Sequence, residues 1–171
     1  MAKSTFSGPI RSKAGIFNAG SDSVVSLTAD TTLTTDAHAG RILACNDADG
    51  KFTLPTILSS PLRLTLNNLG ATYTFFIETA ATDLDILTDG TDKFVGGLYT
   101  GKDDATGKTF IAGATNDVIT LNGSTKGGLA GSIIRVTAVA DNKYAVEGII
   151  LGSGTTVSYT HLRAHETLRY L

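Results

Sequence analysis

The feature that most constrains this chain is the strict alternation in residues 62–78, LRLTLNNLGATYTFFIE. Leu62, Leu64 and Leu66 alternate with Arg63 and Thr65. After Asn67-Asn68-Leu69-Gly70, the residues Ala71, Tyr73, Phe75 and Ile77 alternate with Thr72, Thr74, Phe76 and Glu78. Successive side chains on a strand point to opposite faces, so a period of two marks a half-buried strand. Two such runs joined by a short Asn- and Gly-rich link predict a β-hairpin.

The same signal recurs along the chain. Strands are expected over residues 23–29 (SVVSLTA), 31–35 (TTLTT), 40–46 (GRILACN) and 51–55 (KFTLP), with DAHAG and DADG as turns. Pro55 ends its strand because it cannot donate to a ladder. A last pair, residues 132–140 and 144–151, flanks the turn Asp141-Asn142-Lys143. Residues 83–98 and 117–129 share an acid, an apolar pair, a Gly turn, Lys and Gly-Gly-Leu. They read either as a weak internal repeat or as two uses of one turn chemistry. The composition fits: 26 Thr, 19 Gly and no Trp are poor material for helices and suit short strands joined by turns. No helix is expected, beyond a short turn near residues 56–60. The fold class is all-β, an antiparallel β-sandwich or β-barrel of about ten short strands with an extended N-terminal arm.

Three segments follow. Residues 1–21 carry Lys3, Arg11 and Lys13, no acid, several glycines and isolated apolar Phe6, Ile10, Ile16 and Phe17. This reads as an extended arm that adds a strand to a partner, or as a disordered terminus. Residues 22–156 are the β domain, with nine basic and fifteen acidic residues. In residues 157–171 the run VSYTHLRAHET resembles, residue after residue, the translation of a transposase end and adaptor from sequencing libraries. That tail is set aside, with His161 and His165, and the natural C-terminus is expected to be missing. The N-terminus has no apolar signal-peptide core and no run approaches the ~18 residues that span a bilayer, so synthesis in a cytoplasm and no membrane partner are expected.

Chemistry is sparse. Residues 46–50, NDADG, look like part of a calcium loop, but a cysteine falls at position one and Thr56 where a bidentate Glu belongs. Residues 101–109, GKDDATGKT, resemble a phosphate loop with one residue too many between the glycines and two acids inside. His38 stands alone once the tail is removed. Asp83, Asp85, Asp89 and Asp92 are crowded enough to suggest a surface cation, or simply a solvated charge run. Asn122-Gly123-Ser124 is a glycosylation sequon that doubles as a turn. Cys45, in an apolar run, is expected to be a buried small side chain. No catalytic residue, cofactor or metal site is assigned, and the acidic domain argues against a nucleic-acid partner.

Beyond the residues, several segments are similar to small virion structural proteins of tailed, often marine, bacteriophages, of the capsid decoration type. The likeness rests on D-A-x-A-G-R-I-L (36–43), N-D-A-D-G-x-x-T-L-P (46–55), G-A-x-Y-T-F (70–75), D-x-I-T-L-N-G (117–123) and the strand at Tyr144-Ala145-Val146. It covers about residues 5–156. The resemblance implies a non-enzymatic protein on the capsid surface that binds the major capsid protein and stabilises the assembled head. It further implies a homo-oligomer, by family habit a trimer. Its arm (Phe6, Pro9, Ile10, Arg11, Ile16, Phe17) would grip the capsid protein or a neighbouring subunit. The alternative is a tail-fibre or head-fibre module that recognises host-surface glycan. A polysaccharide-cleaving enzyme would need a carboxylate pair, and none stands out.

Overall fold

Alternation tells which face of a strand is buried but not which strand lies beside it, and here the pairing departs from the simple hairpin order. The computed structural model describes residues 20–59, 67–101 and 107–153. Within them run β1 (Val24–Leu27), β2 (Thr31–Thr32), α1 (Thr35–His38), β3 (Ile42–Cys45), β4 (Lys51–Thr53), β5 (Thr72–Ile77) and β6 (Leu84–Leu87). The second half supplies β7 (Lys93–Gly101), β8 (Thr109–Ile111), β9 (Val118–Leu121), β10 (Ile133–Ala140) and β11 (Lys143–Leu151). The fold is all-β. A seven-stranded sheet has the order β1-β3-β5-β10-β11-β7-β8, and a four-stranded sheet the order β2-β4-β6-β9.

From β1 to β6 the chain crosses from one sheet to the other at every step. Strands β1, β3 and β5 therefore lie parallel in the large sheet, and β2, β4 and β6 parallel in the small one. Val24 sits opposite Ile42, which sits opposite Thr74, so the chain coils around a shared interior. Two antiparallel strands then close the coil, β10 against β5 and β9 against β6. The large sheet continues through the β10–β11 hairpin, β7 parallel to β11, and β8 antiparallel to β7. The sheets are thus mixed, not antiparallel throughout, and among the described residues neither closes into a barrel. An inter-sheet crossing and a hairpin both produce a period of two with a polar link, which is why the sequence alone suggests antiparallel pairing.

The hairpin expected over residues 62–78 is the clearest correction. Strand β5 has β3 on one side and β10 on the other, which leaves it no edge for a hairpin partner. Leu62, Leu64 and Leu66 lie outside the described residues. The Asn67–Gly70 link is still a turn: Asn67 accepts from the Leu69 N–H, and Ala71 N–H donates back to Asn68. The DAHAG segment also differs from expectation, because it forms the helical turn α1. Thr34 caps it by accepting from the Ala37 N–H, and two backbone bonds close it. The two look-alike segments are one device used twice. In each, a strand of the small sheet (β6 or β9) meets a glycine turn and the chain passes to the large sheet.

The core lies between the sheets. Leu43, Phe75, Val136 and Tyr144 come from the large sheet and Phe52, Ile86 and Leu121 from the small one, all buried in one cluster. The Phe52 and Phe75 rings stack across the two layers with centroids 6.4 Å apart. Cys45 is fully enclosed, and burial pushes its thiol up to about 12. Gly96, midway along the β7–β11 ladder, has φ +112, and a Cβ there would run into the Val146 carbonyl oxygen. Gly96→Ala should therefore lower the unfolding free energy by about 3 kcal/mol in urea titrations. A loss within about 0.5 kcal/mol would contradict this backbone description.

Candidate interaction surface

The arm residues singled out from sequence, Phe6, Pro9, Ile10, Arg11, Ile16 and Phe17, lie outside the described residues, as does the 157–171 tail. The described part offers a surface that the sequence reading did not name, the outer face of the seven-stranded sheet. Ladder register sets Phe76 opposite Ile133, Ile133 opposite Ile149, Ile149 opposite Tyr99, and Tyr99 opposite Thr109. At about 4.8 Å per strand, the four apolar side chains form a strip roughly 14 Å long. Tyr99 is 61% exposed, Ile149 58% and Ile133 46%. The neighbouring row adds Val24, Ile42 and Ile111, the last 74% exposed. Between them stand Arg135 and Glu147, paired at 3.1 Å and open to water, a contact worth no more than about 1 kcal/mol. A contiguous apolar strip bordered by polar groups, as from Phe76 to Tyr99, marks an interaction site more often than chance exposure. One signal was legible: Ile133-Ile134, Leu98-Tyr99 and Ile149-Ile150 put apolar side chains on both faces of their strands.

The structure separates the four acids that suggested a cation. Asp85, on β6, accepts from the Thr120 hydroxyl of β9 at 2.7 Å. Asp89 caps a turn by accepting from the Thr91 and Asp92 N–H groups. Burial raises its pKa, but those N–H groups, Thr56 and Lys93 outweigh it and hold the carboxyl below its usual range. Asp83 is exposed. Asp92 is fully buried: one oxygen accepts from the Ile57 N–H at 2.8 Å, and the other has no partner. No group of three metal-binding side chains occurs among the described residues.

The remaining motifs are local structure. His38 Nδ1 accepts from the Thr34 N–H at 2.9 Å and so braces the helical turn that contains it. In the NDADG segment, Asn46 donates to Ser26 and Glu78, tying the β3–β4 crossing to its neighbours. After the phosphate-loop look-alike comes strand β8, and no helix begins there to present N–H groups to an anion; residues 102–106 lie outside the described part. Asn122 uses its side chain inside its own turn, donating to Thr125 and accepting from the Ser124 and Lys126 N–H groups. No described helix is long and apolar enough to cross a membrane.

Neither a family model nor a curated protein nor a solved structure matches the chain. Segments 36–43, 46–55, 70–75 and 117–123 and the strand at Tyr144-Ala145-Val146 supply core and turns. Their Leu43, Phe52, Leu54, Tyr73, Phe75, Leu121, Tyr144 and Val146 are all buried.

Asp92 gives a pH prediction. Burial, with Asp89 nearby, raises its pKa above the usual carboxylate range against the Ile57 N–H and Lys93. The folded state therefore holds this proton more tightly than the unfolded chain. The resulting stability is complete below about pH 4 and is lost as pH rises through the raised value. Asp92→Asn should gain on the parent as pH rises from 4 to 7 in parallel urea titrations. Superimposable pH profiles would contradict the assignment.

Proposed function

We propose that this chain is a non-enzymatic virion structural protein of a tailed bacteriophage, a capsid decoration protein that binds and stabilises the assembled head. The observation that carries the reading is the exposed apolar face of the seven-stranded sheet around Tyr99, Ile133 and Ile149. An exposed apolar face of this kind suits one copy of a repeated lattice. Binding the assembled shell, and not its free subunits, stabilises that shell by linkage. The arm adds a second attachment, by its three cations and by strand addition. The segments on which the sequence resemblance rests supply core and turns, which fits a common scaffold, and the surface face supports the use made of it.

The test is binding to expanded, empty heads of a tailed phage that the protein decorates, with residues 1–156 as ligand. Saturation at copy numbers that match the shell lattice is expected. Ile149→Arg, which places a charge on the apolar strip, should weaken binding at least about tenfold, because a buried unpaired charge costs more than the 1.4 kcal/mol that a decade represents. Failure to bind heads, together with binding to bacterial cells or surface glycan, would replace this reading with that of a fibre module.

A further inference from the structure

We propose that strand β9 and the groove beneath it receive residues 10–16 of a second copy of this chain as a fifth strand of the small sheet. The inference shares with the functional reading only the premise that residues 1–19 act as an arm, and it is tested without capsids.

The first observation is an open edge. β9 is the last strand of its sheet, and among the described residues nothing lies on its other side. Asp117 accepts from the Thr88 N–H, which makes them a hydrogen-bonded pair of the antiparallel ladder. Ladder bonds alternate, so Ile119 and Leu121 also turn their N–H and C=O toward β6. Val118 and Thr120 then direct both backbone groups away from the sheet, ready for another strand.

The second observation is an unfilled groove beside that edge. The seven-stranded sheet overhangs the four-stranded one, and a cavity of about 90 Å³ remains between β9 and the inner face of β7, β8 and β11. Leu98, Phe110, Ile119, Leu121, Val146 and Ile150 help to line it. The volume is that of about three waters and is smaller than the cavities of about 150 Å³ that hold a benzene ring. It suits one or two inserted aliphatic side chains better than a separate ligand.

The third observation is the donor. Residues 10–16 read Ile-Arg-Ser-Lys-Ala-Gly-Ile. With a period of two, Ile10, Ser12, Ala14 and Ile16 share one face and Arg11 and Lys13 the other. Laid along β9, the first face enters the groove. The second joins Val118 and Thr120 on the outer side of the small sheet, where Asp85 lies against Thr120.

Reach makes the donor a second copy. Gly20 lies just before β1, at the far edge of the large sheet, and β7 stands five strands away, roughly 24 Å. Ile16 is four residue steps from Gly20, at most about 14 Å, so a chain cannot seat its own residues 10–16 in its own groove. Each copy gives an arm and accepts one, an exchange that links copies into a pair, a ring or a chain of copies.

Two measurements test this on the full chain. Light scattering should show a defined oligomer for the parent and a folded monomer, by far-UV circular dichroism and unfolding midpoint, for Val118→Pro. That N–H takes no part in the β6 ladder, so the edge tolerates proline while the added strand loses a bond. An oligomer dissociation constant raised by about tenfold or more is expected; an unchanged one overturns the proposal. Mild oxidation of a mixture of Lys13→Cys and Val118→Cys chains should give cross-linked heterodimers, with buried Cys45 silent. Persistence of the oligomer without that cross-link overturns the proposal. So does a cross-link formed within one dilute chain that carries both cysteines. Oligomerisation as predicted with no binding to heads would leave this inference standing and remove the functional one.

Discussion

Everything in this molecule depends on one shared interior that two unequal sheets must cover. Phe52 and Phe75 meet across that interior, and the chain reaches it alternately from both sides through six successive strands. Each crossing brings a new strand beside the one placed two strands earlier, so the ladder grows parallel without long helical connections. The growth stops when β9 and β10 pair antiparallel with β6 and β5. Four strands cannot cover seven, and the excess of the large sheet leaves its β7–β8 end only partly roofed.

The imbalance explains where the surface features lie. On the inner side of the overhang is the apolar groove beside β9. The outer side of the same sheet carries the strip from Phe76 to Tyr99. Both are hydrophobic areas that the monomer leaves partly in water, and both are relieved when something else covers them. Charge gives this covering a direction. Residues 1–21 hold three Lys and Arg and no acid, while residues 22–156 carry six more acids than bases.

The sequence showed much of this and hid the rest for physical reasons. Residues 72–77 are a strand as their alternation predicts, the pair expected over 132–140 and 144–151 is the β10–β11 hairpin, and the turn at Asp141-Asn142 has Asn142 at φ 58, a value that asparagine tolerates. Pairing was not legible. A crossing such as residues 28–30 looks like a hairpin loop, because both are short and polar and only the direction of the exit differs. The turn α1 was missed because a single helical turn has no periodicity to detect, although the Thr34 cap was present. Asp92 read as a solvated acid because its Asp-rich neighbours gave no hint that it would be fully buried beneath Ile57. The outer face was visible only as doubled apolar residues, a pattern that also describes a strand buried on both sides.

The most direct measurement is amide hydrogen exchange at Val118 and Thr120, compared between the full chain at assembling concentration and a chain that lacks residues 1–19. These two N–H groups have no partner within the sheet, so an isolated copy must exchange them rapidly. The account predicts strong protection in the full chain and its loss on truncation, with Ile119 and Leu121 protected in both. Rapid exchange at Val118 and Thr120 in both chains would show that no strand covers this edge.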